Sequence, residues 1–305
     1  MDISIIIPTY NRNSILYKHL AIAYVELKGM AYEIIIVNDS KTNKIELLPE
    51  WSSNISVINN PKQGVASARN LGASLARSEN LIFMDDDMAL KQNAVQKAIG
   101  FLNTNKDACL NVNWAYPDKL NAKLETYQFG RYLEHFGFTT LKGWQDEGFE
   151  WKDDQVIKAN GVTSQFLAMT KTSFDKSGGY NENFPFAGFE DHDFGIRLQQ
   201  KGITAYLDTG TMIWHNEEDR VQLEGWMQRK YRGGQTRKIA VQMGHKDLEI
   251  NYNNLKGKLY FIISQVEFIF TWGLKLIPNI KMFDPLYFRI VNVLLGTNSY
   301  KGYTK

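Results

Sequence analysis

Four short apolar runs within the first 84 residues constrain the fold of this 305-residue chain more than any other feature. Ile3-Ser4-Ile5-Ile6-Ile7 is β-branched and stops at Pro8, which has no N–H to give to a central ladder. Glu33-Ile34-Ile35-Ile36-Val37, Ser56-Val57-Ile58 and Leu81-Ile82-Phe83-Met84 follow. Runs of this length and composition read as buried strands. Between them, Leu16 to Leu27 has helical spacing, with Asn13 or Ser14 as N-cap candidates and Gly29 closing it. Gly64 to Arg77 reads as an Ala-rich helix. Strands alternating with helices imply parallel βαβ units in a doubly wound α/β sheet.

The fourth run ends in Asp85-Asp86-Asp87. Ligands of open α/β sheets collect at the carboxyl ends of strands. Adjacent carboxylates there repel each other, a cost that a hard divalent cation with oxygen ligands relieves. An acidic surface turn is the bland alternative. Neither common nucleotide cradle is present: no G-x-G-x-x-G follows the first strand, and no G-x-x-x-x-G-K-[ST] occurs anywhere. Pro8-Thr9-Tyr10-Asn11-Arg12 follows the first strand and Asp39 the second, a pattern suited to a nucleotide held by hydrogen bonds and stacking.

From Asn103 to about Ala159 aromatic residues mix with charges, Trp144 and Trp151 among them. A second acidic cluster, Phe189-Glu190-Asp191-His192-Asp193, opens a run of helical spacing to Gln200, where the helix dipole favours anions. Simple charge complementarity at a helix start would look the same. Ala205-Tyr206-Leu207 reads as a strand, and Met212-Ile213-Trp214-His215 follows as an apolar run delivering one histidine at its end. A lone histidine is more often structural than a ligand, but beside two carboxylate clusters His215 becomes a metal-ligand candidate.

Composition sets the outer bounds. Hydrophobic residues make up 44% and charged residues 22%, an ordinary globular balance, and a net charge of +2 argues against nucleic acid as a partner. The single Cys109 excludes an intrachain disulfide framework and a multi-cysteine zinc site, and reads as a small buried hydrophobe. Met1-Asp2 leads straight into an apolar run with no secretory pattern, so a cytoplasmic location is expected.

Taken in order, these pieces resemble the inverting glycosyltransferases of family 2, with a galactosyltransferase-like Phe-Glu-Asp motif towards the C-terminus. The resemblance rests on Ile5-Ile6-Ile7-Pro8-Thr9-Tyr10-Asn11-Arg12, Val37-Asn38-Asp39-Ser40, Asn60 with Gly64, and Ala68-Arg69-Asn70-Leu71-Gly72. It continues through Asp85-Asp86-Asp87, Gly178-Gly179-Tyr180 with Glu182, Phe189-Glu190-Asp191-His192-Asp193 with Arg197, and Trp214-His215. It implies the GT-A fold: a Rossmann-like mixed α/β sheet flanked by helices, here with a C-terminal helical extension. It also implies a catalytic domain over residues 1–220, made of a nucleotide-sugar half (1–103) and an acceptor half (104–220), followed by the extension at 221–305.

The resemblance implies roles as well. Pro8, Thr9, Tyr10, Arg12, Asp39, Gly64, Arg69, Asp85 and Asp86 would bind the donor, a nucleoside-diphosphate sugar for which UDP is the family's commonest choice. Asp87, with Asp85 and His215, would hold Mn²⁺ or Mg²⁺. Asp191 would be the general base that deprotonates the acceptor hydroxyl, and Glu190 would hold the acceptor, a saccharide or lipid-linked saccharide. Trp144 and Trp151 are possible acceptor platforms, with packing anchors as the plainer reading. The family usually carries two acidic residues and a glycine after the second strand, where this chain has Asn38-Asp39-Ser40.

Beyond His215 the chain changes character. Gln222 to Gln242 reads as a helix carrying Arg229, Lys230, Arg232, Arg237 and Lys238 around Gly233-Gly234, either a phosphate-binding element or a solvated basic face. Lys258 to Ile277 reads as one amphipathic helix, either lying in the plane of a membrane surface or packed on protein; no span is expected. A peripheral position at the inner face of the membrane therefore accompanies the cytoplasmic expectation. The competing readings are a non-catalytic nucleotide-sugar-binding or scaffold subunit of a polysaccharide assembly complex, a sugar-nucleotide nucleotidylyltransferase, and a dehalogenase-type phosphatase. The last two place a Gly-rich basic loop or a nucleophilic aspartate after the first strand, and this chain has neither there.

Overall fold

Every residue of Ile3–Thr9 (β1) and Tyr32–Asn38 (β2) is buried, which is what β-branched runs without alternation require. In this computed structural model, which describes residues 1–145 and 148–305, Asn13–Glu26 (α1) joins these two parallel strands. Ile55–Asn59 (β3), Val65–Leu75 (α2) and Asn80–Met84 (β4) continue the pattern, with β4 parallel to β1 on its other side. A two-residue strand Met88–Ala89 (β5) and Gln92–Thr104 (α3) lead into Ala108–Ala115 (β6).

After β6 come Asp118–Leu124 (α4) and Gln128–His135 (α5), then Val156–Lys158 (β7), Phe166–Thr170 (β8), Lys171–Ser177 (α6), Glu190–Gln200 (α7) and Thr204–His215 (β9). The remainder is helical: Leu223–Gln242 (α8), Leu255–Gln265 (α9), Glu267–Leu276 (α10) and Asp284–Thr304 (α11). The strands form one nine-stranded sheet in the order β3-β2-β1-β4-β8-β6-β9-β5, with β7 against β9.

The first four strands are parallel, as their alternation with helices implies, and the sheet as a whole is mixed, as the family resemblance implies, because β8 runs antiparallel to both β4 and β6. All five residues of β8 are buried, and such a run reports burial on both faces without reporting direction. The strand expected at Ala205-Tyr206-Leu207 and the apolar run ending in His215 are one strand, β9, with a register shift opposite Val112 and Asn113. Ile6, Val37, Phe83, Leu167, Phe194 and Leu198 belong to the core beside this sheet.

The chain divides into two compact units. The first comprises Met1–Ala115, Asp146–Pro185 and Glu190–Asn216 and holds the sheet; the second comprises Tyr116–Gln145, Phe186–Phe189 and Glu217–Lys305. Tyr116–Gln145 thus groups with the C-terminal helices rather than with the strands around it in sequence.

Gly233-Gly234 lies inside α8, within the helix expected over Gln222 to Gln242. A Cβ at Gly234 would stand 2.3 Å from the Ser299 carbonyl oxygen, and one at Gly302 only 1.9 Å from that of Tyr231. These glycines let α8 and α11 meet backbone to backbone. The basic residues around them are engaged by aromatic faces: Arg229 lies over Trp144 and Trp226, Arg232 over Phe186, and Arg237 over Phe189. Lys258 to Ile277, expected as one helix, is two, α9 and α10, bent by 74° at Val266, whose ψ of 20° with φ of −122° breaks the helical path. Among the described residues no single helix is long and apolar enough to cross a membrane.

Candidate active site

β4 delivers the acidic run at its carboxyl end, as the sequence predicts. The three carboxylates then part company. Asp86 accepts from Thr9 Oγ1 at 2.6 Å, at the end of the neighbouring parallel strand β1, and from the guanidinium of Arg12, which caps the start of α1. The same Arg12 nitrogen lies 2.8 Å from Asp87 Oδ2. Thr9 and Arg12, assigned to the donor by resemblance, are buried against this acidic run, whereas Tyr10 between them stays 55% exposed.

Backbone pairing brings Asp87 to His215. Met88 pairs with His215 and Ala89 with Trp214, and the Asn216 N–H donates to the Asp87 carbonyl at 2.8 Å. The two side chains then meet, His215 Nε2 lying 3.2 Å from Asp87 Oδ1, both almost fully buried. The Trp114 ring stands edge-on to the imidazole at 4.7 Å and fixes its plane.

Asp85 points elsewhere. Its Oδ1 lies 3.1 Å from Nη2 of Arg69, and Nη1 of the same guanidinium lies 3.1 Å from Glu190 Oε1 and 3.8 Å from Asp191 Oδ1. Arg69 is only 3% exposed and joins the strand-end carboxylate to the start of α7. Burial works against its charge, but Asp191, Tyr180, Asp85 and Glu190 outweigh burial and hold it protonated above the usual arginine range. Asp85 keeps about a third of its side chain exposed. Desolvation nevertheless pushes its carboxyl upward, aided by Asp87 and Asp191 and opposed by Arg69 and His215. The buried Asp87–His215 pair, a hard oxygen and one imidazole 3.2 Å apart, offers donors that suit a divalent cation.

Asp191 occupies the first turn of α7. Its carboxylate accepts from the Ser164 backbone N–H at 3.0 Å and from the Ser164 hydroxyl, yet the side chain keeps 23% of its surface exposed. The Ser164 hydroxyl also meets Tyr180 Oη at 2.6 Å, and Tyr180 packs its ring beneath Arg69. Burial raises the Tyr180 phenol well above its ordinary value, with Asp191 adding to the effect, so it stays neutral. Asn70 pins the Tyr180 backbone with two hydrogen bonds, at 2.8 and 2.9 Å. Ser164 is a site residue that sequence reasoning missed. It sits in Gly161 to Met169 with nothing around it that signals chemistry.

A second subsite forms at the end of β2. Asp39 accepts from the Gly64 N–H, 3.1 Å from each carboxylate oxygen, and from Asn60 Nδ2 at 2.7 Å. Gly64 holds φ of +116°, a conformation that favours glycine at this turn into α2. Pro8 closes the β1 side, in register with Val37 on β2. Of the aromatic candidates, Trp144 belongs to the second unit, 38% exposed beneath Arg229, and Trp151 to the first, its indole N–H on Asp153 at 2.8 Å.

The model of glycosyl transferase family 2 matches residues 4–156, half of the chain. The chain belongs to glycosyl transferase family 2. The match of this glycosyltransferase continues at residues 155–215 with the model described as the N-terminal domain of galactosyltransferase, which includes the Phe189-Glu190-Asp191 motif. Similar proteins include an uncharacterized glycosyltransferase of Haemophilus influenzae, 28% identical over 67% of this chain and 64% of its own length. Two chondroitin synthases are also similar. That of Pasteurella multocida is 29% identical over 71% of this chain, and that of Escherichia coli 25% identical over 93%. This chain spans only 25% and 42% of their lengths, so the activity of the whole relatives does not transfer with the match.

Solved structures share the GT-A fold. A mannosyltransferase from Pyrobaculum calidifontis, solved with GDP-Man and Mn²⁺, superposes with a TM-score of 0.58 and 12% identity, over 100% of this chain and 88% of its own. GalNAc-T7, solved with UDP, GalNAc and Mn²⁺, gives 0.53 and 14%, over 70% and 43%.

Proposed function

We propose that this glycosyltransferase is metal-dependent and inverting, moving a sugar from a nucleoside-diphosphate donor, UDP favoured, to a hydroxyl of a saccharide or lipid-linked saccharide. The observation that carries the reading is the Arg69 guanidinium, which ties Asp85 at the end of β4 to Glu190 and Asp191 at the start of α7. Donor-side carboxylate and base thereby share one ion cluster, as a single displacement at one carbon requires.

In the proposed reaction the acceptor oxygen attacks the anomeric carbon opposite the departing nucleoside diphosphate, and Asp191 takes the acceptor's proton. Ser164 and Arg69 hold the Asp191 carboxylate in place, while its exposed edge faces the acceptor. Glu190 orients the acceptor sugar. Asp39, with Asn60 and Gly64, binds the nucleoside, and Pro8, Thr9, Tyr10, Arg12 and Asp86 form the donor wall beside it. Asp87 and His215, with Asp85, would hold Mn²⁺ or Mg²⁺, which when bound neutralises charge developing on the leaving diphosphate. Trp151 offers a flat face to a sugar ring.

The relatives named as chondroitin synthases support a saccharide acceptor and a role in surface polysaccharide or glycoconjugate synthesis. Calorimetric titration of UDP, GDP and dTDP, each with Mn²⁺ and again with EDTA, tests the reading. Binding of one nucleotide that vanishes with EDTA is the expected result. Binding of none, or binding indifferent to metal, would overturn it.

A further inference from the structure

Ordinary surface helices turn apolar residues inward and charge outward. Helices α9 and α10 do the reverse. On α10 the outward stripe is Phe268, Ile269, Trp272 and Leu276, at 69, 50, 62 and 62% exposure. Its inward side carries Glu267, held by Lys301 at 2.7 Å and by Asn298 at 2.9 Å. On α9, Leu255, Leu259 and Ile262 form a second exposed stripe, while Ile263 is buried and Tyr260 lies against Tyr300 of α11. Ile280, Met282 and Leu286 extend the apolar surface to the start of α11, all more than half exposed. Elsewhere among the described residues only Met1, Tyr10 and Val25 among the large apolar side chains are half exposed or more. A concentration of this kind marks a docking surface rather than the scatter found on any protein.

Charge identifies the occupant. Between residues 255 and 290 the acids are Glu267 and Asp284, and both are spent inside the protein, Glu267 on Lys301 and Asp284 on Arg131 at 2.7 Å. Lys256, Lys258, Lys275, Lys281 and Arg289 in the same stretch are exposed. The surface therefore presents aromatic and aliphatic side chains among cations with no free acid, which is complementary to an anionic lipid bilayer. Neither helix spans: 11 and 10 residues cover about 16 and 15 Å at 1.5 Å per residue, against the roughly 20 residues a crossing needs. The 74° bend gives two short segments that can lie in an interface without crossing it.

We propose that α9, α10 and the start of α11 dock this glycosyltransferase in the plane of an anionic membrane surface, with Phe268, Ile269 and Trp272 entering the acyl boundary and Lys258, Lys275 and Lys281 meeting the headgroups. The docking does not depend on the transfer chemistry, and these residues lie outside the catalytic machinery.

The test is flotation of the full chain with vesicles of phosphatidylcholine alone and of phosphatidylcholine with phosphatidylglycerol, at low and high salt. The wild type floats with the anionic vesicles, less at high salt. The exposed triple substitution Phe268→Ser/Ile269→Ser/Trp272→Ser, with unchanged circular dichroism and melting, loses at least about tenfold in partition. Lys258→Glu/Lys275→Glu/Lys281→Glu loses the preference for anionic lipid. Failure of the wild type to float, or a triple substitution that floats as well as the wild type, would overturn the proposal. A dimer that the apolar triple substitution dissociates, in place of flotation, would overturn it too and assign the surface to a second copy of the chain.

Discussion

Arg69 and Glu190 stand 121 residues apart in sequence and 3.1 Å apart in space, each side chain 3% exposed. Such a pair forms only when α2 and α7 have both reached their places. Truncating Arg69 to Ala removes this counter-charge from buried Glu190 and the guanidinium from Asp85. Loss of one partner of a buried pair costs about 3–5 kcal/mol. We expect Arg69→Ala to lower stability by that order in urea denaturation and Arg69→Lys to lower it less, because lysine keeps the charge and loses the fork. Equal stability of Arg69→Ala and wild type would remove the pair from any structural role.

Asp191→Asn tests the base. The amide keeps the shape and can still accept from Ser164, so folding and nucleotide binding should persist. Transfer should fall by about 10²–10⁴, the usual contribution of a positioned acid or base. Measured by product formation alongside calorimetry, an Asp191→Asn enzyme of ordinary activity would refute the assignment.

Asp87 and His215 are expected to act together on the metal. His215→Gln should weaken Mn²⁺-dependent nucleotide binding by about 10–100-fold, the range seen when a metal shell is disturbed. In EDTA, where the wild type no longer binds, the two proteins should not differ. Asp87→Ala should weaken metal-dependent binding further and also remove one carboxylate partner of Arg12. A His215→Gln protein that binds nucleotide and Mn²⁺ as the wild type does would exclude the imidazole from the shell.

Glu33 predicts an acid limb for stability. Burial raises its carboxyl, but hydrogen bonds from Ser4, from the Arg77 backbone N–H and from the Arg77 guanidinium prevail and leave it below its ordinary value of 4.5. A carboxyl depressed by folding contributes stability above its unfolded value, and loses it as pH falls through the lower folded value. Glu33→Gln should therefore be less stable by about 1–3 kcal/mol near neutrality. The gap should close as pH falls below 4.5. Melting temperatures across that range decide it, and a gap that stays constant with pH would mean that the charge of Glu33 is irrelevant.

Much of this was readable from the chain. The runs at Ile3–Ile7, Glu33–Val37 and Leu81–Met84 became β1, β2 and β4 within a residue or two, because a strand buried on both faces must be apolar at every position. Asp191 fell in the first turn of α7, as the helical spacing to Gln200 suggested. Other features were not readable. Nothing near Ser164 says that its hydroxyl and N–H hold Asp191, since that contact is made across 27 residues. Nor does the sequence say why a helix carries the costly pair Gly233-Gly234, since the reason lies on α11.

Local pattern determined where the strands and helices lie, that acids stand at the carboxyl end of β4, and to which family the chain belongs. These follow from periodicity and short-range chemistry, which a sequence carries in full. Tertiary structure alone decided the antiparallel entry of β8, the closure of Asp85, Arg69 and Glu190 into one cluster, the meeting of Asp87 with His215, and the bend that splits α9 from α10. Each depends on which distant segments become neighbours, a choice made by the packing of the whole chain and recorded by no single stretch of it.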